Sequence, residues 1–118
     1  VTYRIIEENI EAARRCGACD TVIPATDTIV ESREGSVISD IPNRAVLYQG
    51  QTPQSFNAVK LRALYESLTD EEKAVLTDAA KIFVIKGEQV QLVKGENSNI
   101  KITYPYDLTV AESLLKGV

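Results

Sequence analysis

Histidine is absent from all 118 residues, which removes the usual acid–base group at neutral pH and the commonest metal ligand. Long apolar runs are missing as well. The longest, such as residues 82–85, reach four or five positions, far short of a bilayer span. The N-terminus shows no charged start followed by an apolar block and a small-residue cleavage site, so the expected location is cytoplasmic. The chain opens on Val1 rather than methionine, which reads as a sequence cut from something longer. Basic charge is not in excess: 13 Lys and Arg stand against 17 Asp and Glu, a formal charge of −4. With the cations scattered, that balance excludes a general nucleic-acid binder and leaves small anions met by one or two cations. Glycine occurs six times, singly and at turns, so there is neither a dinucleotide fingerprint nor a P-loop. Cysteine occurs twice, as Cys16-Gly17-Ala18-Cys19. A redox pair gains reactivity at a helix N-terminus, whereas this one falls where a helix ends; zinc needs four ligands, and the chain has no other Cys or His. Two buried or half-buried structural thiols, and no metal site, are expected.

What is present suits one ordered α/β domain: 44% apolar and 25% charged residues over a length too short for two domains. Residues 7–15 read as the end of a helix, with Ile5, Ile6, Ile10 and Ala13 on one face, Arg14 and Arg15 in the last turn and Gly17 as the stop. Residues 18–24 read as a short buried strand. Residues 27–32 and 37–40 are β-prone runs around a turn at 33–36, a ribbon poorly buried on either face that should rest on a second subunit. A helix is expected over 54–67, preceded by extended chain at 47–51. Thr69-Asp70-Glu71-Glu72 is a capping box, and Thr77-Asp78 a second possible cap for a helix to about residue 82. Residues 89–93 and 99–102 are expected strands, and Pro105 opens an amphipathic terminal helix through Leu108, Val110, Ala111, Leu114 and Leu115. Three or four strands with their connections trailing one way suggest the back half of a doubly wound sheet.

Three polar positions each carry two readings, and a fourth carries one. Thr52, in Gln51-Thr52-Pro53-Gln54, is either a helix N-cap or a phosphate seat beside exposed helix N–H groups. Thr77 allows the same choice. Lys101, in the apolar run Asn99-Ile100-Lys101-Ile102-Thr103, either snorkels at an edge or points into a cleft at a strand's C-terminal end. Arg44, in a proline-containing turn, is by default a solvated surface charge.

Taken together these elements resemble the cytidylyltransferases that activate methylerythritol phosphate or ribitol phosphate. The resemblance is carried by Pro24-Ala25-Thr26-Asp27-Thr28, Arg44 eight residues before Thr52, and Thr52-Pro53-Gln54-Ser55-Phe56. It continues through Leu76-Thr77-Asp78-Ala79, Asn99-Ile100-Lys101-Ile102-Thr103, Pro105-Tyr106-Asp107-Leu108 and Ala111-Glu112. Residues 40–44 and 47–51 look more like the ribitol-phosphate branch, which serves wall teichoic acid synthesis. The resemblance implies a single partial domain over 1–118, the C-terminal part of a Rossmann-like doubly wound nucleotidyltransferase sheet with a protruding β-ribbon arm at about 26–48. It implies attack of a substrate phosphate oxygen on the α-phosphorus of CTP, with release of pyrophosphate and with Mg²⁺ bridging phosphates. Lys101 would stabilise charge on the transferring phosphate, and Thr52 and Thr77 would hold the acceptor's phosphate. Thr28 and Arg44 would reach that phosphate from the arm of the other subunit of a homodimer. The family's glycine-rich opening, with the Arg and Lys that hold CTP and the expected Mg²⁺ ligand, is missing, so the chain alone is expected to be inactive. The alternatives are a methylerythritol-phosphate enzyme or a non-catalytic dimerisation and phosphate-binding module.

Overall fold

A computed structural model describes residues 1–117. Helix α1 (Tyr3–Cys16) starts at Thr2, whose hydroxyl accepts from the Ile5 N–H at 3.2 Å. It stops at Gly17, whose φ of 89° is open to glycine and costly for residues with a Cβ. Its buried face differs from the one that apolar counting picks out. Ile5, Asn9 and Ala12 are 0, 1 and 4% exposed, while Ile6 and Ile10 are 40 and 54% exposed. The spacing is helical, but the middle of the buried stripe is an asparagine.

Three strands follow: β1 (Ala18–Pro24), β2 (Tyr48–Phe56) and β3 (Gln91–Lys94). The order is β2-β1-β3, with β2 antiparallel and β3 parallel to the central β1, so the fold is α/β with a small mixed sheet. Ala12 of α1 packs on Cys19 and Val93 from one face. Ser55 faces α1 as well, so its neighbour Phe56 points the other way, where it stacks on Phe83 of α4 (Ala79–Ile85) with ring centroids 5.2 Å apart. Burying a side chain such as Phe83 or Ile5 completely contributes about 1.5–3 kcal/mol. Cys19 is fully buried and Cys16 half-buried, both free thiols. Burial pushes the Cys19 thiol up, and it donates to Asn9 Oδ1 at 3.2 Å, which keeps it inert.

Short helices α2 (Ala58–Glu66) and α3 (Asp70–Ala74) connect β2 to α4. The expected capping box opens α3: Glu72 N–H donates to Thr69 Oγ1 at 3.1 Å, and Thr69 N–H donates to Glu72 Oε1 at 2.9 Å. Helix α5 (Pro105–Lys116) begins at its proline, as expected, but leaves Leu108 and Leu115 exposed. No helix among the described residues is long and apolar enough to cross a membrane.

Three expectations need correction. Residues 54–56 belong to β2, because Ala18, Cys19 and Asp20 pair with Phe56, Ser55 and Gln54. The following helix therefore starts later, at Asn57, whose Oδ1 accepts from the Lys60 N–H at 3.0 Å. Residues 99–102 form no strand and pair with none of the three among the described residues, and Lys101 sits in a loop. The ribbon is reduced to one bridge between Glu31 and Asp40, with Glu31 N–H donating to Asp40 O at 2.8 Å, and its residues are exposed throughout.

Candidate active site

A cleft of about 760 Å³ opens where β2, the start of α4 and the loop after β3 meet. Thr52, Thr77 and Lys101 all line it, although they come from three separate stretches of sequence.

Thr52 is presented by a bulge. Asp20 pairs with Gln54, but Val22 pairs with Gly50, so Gln51, Thr52 and Pro53 together stand opposite Thr21. Pro53, joined to Thr52 by a cis peptide bond, has no N–H to lose from the ladder, which is why a bulge accepts it. Buried side chains take up the bulge's carbonyls. Thr21 Oγ1 donates to Pro53 O at 2.7 Å, and Asn99 Nδ2 donates to Thr52 O at 2.7 Å. Asn9 secures this from below: its Nδ2 donates to Thr21 Oγ1 at 2.8 Å and to Ile5 O at 2.9 Å, while its Oδ1 accepts from Ser55 Oγ at 2.9 Å. Every polar atom of the buried Asn9 amide is thereby satisfied.

Thr77 stands one residue before the N-cap of α4. The cap is Asp78, whose Oδ1 accepts from the Lys81 N–H at 3.1 Å. Gln54 ties that cap to β2, donating through Nε2 to Asp78 Oδ2 at 3.0 Å and accepting at Oε1 from the Ala80 N–H at 3.3 Å. One glutamine, two residues from Thr52, therefore holds the Thr77 side of the cleft against the Thr52 side. The reading of Thr52 as a helix N-cap is overturned: it lies inside a strand, with no free helix N–H groups beside it. Its exposed side chain is free for a ligand.

Lys101 is exposed at the third side of the cleft and makes no ion pair among the described residues. Thr28 and Arg44 are not in the cleft. Both lie exposed in the segment around the arm, and Arg44 Nη1 donates to Thr26 O at 2.8 Å, bracing the arm's base. Beneath the cleft lies Asp20, whose Oδ1 is buried without a hydrogen-bond partner among the described residues. Burial pushes its carboxyl above the usual carboxylate range; the Gln54 amide opposes this, and the Asp78 carboxylate adds to it.

Sequence reasoning reached Thr52, Thr77 and Lys101 but missed the groups that hold the surrounding backbone: Thr21, Gln54 and Asn99. Gln54 and Asn99 stand in the Thr-Pro-Gln and Asn-Ile-Lys elements, but nothing local marks their side chains as clamps. Two threonines and one lysine thus line one cleft of about 760 Å³, and hydroxyl and ammonium groups are residue chemistry able to donate to an anion.

Comparison with known proteins gives a consistent result. The family model for 2-C-methyl-D-erythritol 4-phosphate cytidylyltransferase (IspD) matches residues 1–117. Ribitol-5-phosphate cytidylyltransferase of Streptococcus pneumoniae serotype 19F (strain G54) is 58% identical over 116 residues, covering 98% of this chain and 49% of the relative. Among solved structures, 2-C-methyl-D-erythritol 4-phosphate cytidylyltransferase from Thermus thermophilus superposes with a TM-score of 0.80 at 33% identity, over 98% of this chain and 56% of that one. The 4-diphosphocytidyl-2C-methyl-D-erythritol synthase of Anaerococcus prevotii gives 0.78 at 32% identity, over 94% and 51%. The chain spans about half the length of the curated relatives it matches.

Proposed function

From the premise that this chain belongs to the 2-C-methyl-D-erythritol 4-phosphate cytidylyltransferase (IspD) family, we propose that it is the acceptor-binding half of an enzyme that transfers CMP from CTP to ribitol 5-phosphate. The products are CDP-ribitol and pyrophosphate, and the pathway served is teichoic acid synthesis in the cytoplasm. The reading rests on one observation: Thr52, Thr77 and Lys101 line a single cleft.

The transfer asks the protein for position and charge neutralisation. The acceptor's phosphate oxygen attacks the α-phosphorus of CTP; the bond to the β-phosphate breaks, and pyrophosphate carries that electron pair away. The Thr52 and Thr77 hydroxyls would donate to the acceptor phosphate and fix the attacking oxygen's direction. The Lys101 ammonium would offset the negative charge gathered on the phosphoryl group in the transition state. Thr28 and Arg44, on the arm at about 26–48, would complete the seat from the second subunit of a homodimer, where the planar guanidinium suits a phosphate's two oxygens. The exposed, single-bridged arm supports that role.

The chain has no glycine-rich loop for a triphosphate, so no turnover is expected of it alone. Mg²⁺ is expected for the reaction; no cluster of three or more Asp, Glu or Cys stands among the described residues, and an ion bridging substrate phosphates needs only one or two carboxylates. Methylerythritol phosphate is the competing acceptor, favoured by the family model and the solved relatives. The 58% identity to a ribitol-phosphate enzyme, against 33%, weighs toward ribitol.

The test is to measure pyrophosphate release with CTP and each acceptor in a protein of the relatives' full length that contains this chain. Release with ribitol 5-phosphate is expected; none with either acceptor would end the reading. In that enzyme Lys101→Ala should lower kcat/KM for ribitol 5-phosphate about 100-fold or more.

A further inference from the structure

The loop that carries Lys101 has no strand ladder to hold it. Its own backbone bonds are two turn contacts, Asn99 N–H to Glu96 O at 3.0 Å and Ile100 N–H to Ser98 O at 2.9 Å. Three side chains fasten it to the rest of the protein: Asn99, Gln51 and Arg4, whose Nη2 donates to Glu96 Oε1 at 2.8 Å on the surface. Asn99 is buried and commits two donor contacts from its amide to the β2 bulge, to Thr52 O at 2.7 Å and to Gln51 Oε1 at 3.2 Å, 47 and 48 residues away in sequence. Gln51 reaches back, its Nε2 donating to Glu96 O at 2.8 Å. Gly95 leaves the space for this: a Cβ there would overlap Gln51 Oε1.

We propose that Asn99 is a positioning residue, locking the Lys101 loop onto the Thr52 bulge so that two sides of the anion seat hold their spacing before any phosphate arrives. This rests on reading the cleft as a phosphate seat. The physical reason is preorganisation: a loop that must be ordered by its ligand draws that cost from the binding free energy. Asn99 touches no substrate in this account. It acts through Thr52 and Lys101.

The test uses the chain itself, with Asn99→Ala and, separately, Gly95→Ala. Neither variant adds charge to the seat. Without ligand, amide hydrogen exchange at residues 50–52 and 96–102 should rise about tenfold or more in both variants, while the Thr69 capping box is unchanged. Inorganic phosphate, titrated against the amide signals of Thr52, Thr77 and Lys101, should bind Asn99→Ala about tenfold more weakly than the parent chain. A merely structural asparagine would lower global stability and leave the folded chain's phosphate affinity alone. Unchanged exchange in either variant, or unchanged phosphate affinity in Asn99→Ala, overturns the proposal. Should the parent chain give no phosphate response at those three residues, the seat itself is refuted, and exchange alone then judges the lock. If Asn99→Ala does not fold, Gly95→Ala decides both arms.

Discussion

Replacing Thr21 by valine keeps the shape of the side chain and removes its hydroxyl, which makes it a clean probe of the network beneath the cleft. Thr21 is fully buried. Its Oγ1 accepts from Asn9 Nδ2 at 2.8 Å and donates to Pro53 O at 2.7 Å. In Thr21→Val one Asn9 N–H stays inside the protein without a partner, at a cost of about 1–3 kcal/mol. Pro53 O is only half-buried and can turn to water, so its loss adds about 1 kcal/mol or less. The expected sum is about 1–4 kcal/mol, a sizeable share of the roughly 5–15 kcal/mol that holds a domain together. Urea unfolding reads this directly: with m of about 2 kcal/mol/M, the midpoint should fall by about 0.5–2 M at unchanged m. Thr21→Ser, which keeps the hydroxyl and loses a methyl, should cost about 1 kcal/mol. A Thr21→Val change below about 0.5 kcal/mol, or a serine variant as damaged as the valine one, would refute the hydrogen-bond reasoning.

Asp20→Asn should flatten the pH dependence of stability and stabilise the chain at neutral pH. The folded protein holds the Asp20 proton at pH values where the unfolded chain has released it, so wild-type stability falls as pH rises from the ordinary carboxylate range through the raised value; unfolding midpoints at acid and neutral pH check this. Thr69→Ala should cost about 1 kcal/mol by removing the α3 cap, read by urea unfolding. Glu72→Gln should act in the opposite pH sense to Asp20→Asn. The Thr69 N–H and the Lys86 ammonium hold the Glu72 carboxyl below its usual range, so its contribution is present above the ordinary carboxylate pKa and is lost as pH falls through the lowered one. Midpoints from about pH 7 down to about pH 3 should then fall less in Glu72→Gln than in the parent.

Features written in adjacent residues were legible in the sequence. The Thr69–Glu72 box, the stop at Gly17 and the start at Pro105 each depend on a few neighbouring positions, and each stands where the pattern put it. Thr52-Pro53 was misplaced because a fixed proline φ suits a helix start and a strand bulge equally; the deciding facts are the pairing of Gln54 with Asp20 and the cap at Asn57. Residues 99–102 have the composition of a strand, but a strand also needs a neighbouring edge, which composition does not encode. The buried polar stripe of α1 was invisible because Asn9 is inside only by virtue of Thr21 and Ser55, 12 and 46 residues away. For the candidate site, the three cleft residues followed from resemblance, whereas the side chains that orient them are fixed by tertiary contacts alone.

The account turns on a single phosphate shared by three residues. A crystal structure of the chain with ribitol 5-phosphate should place phosphate oxygens within about 3.2 Å of Thr52 Oγ1, Thr77 Oγ1 and Lys101 Nζ at once. A phosphate bound elsewhere, or one held in the cleft with Lys101 turned away to solvent, would contradict it.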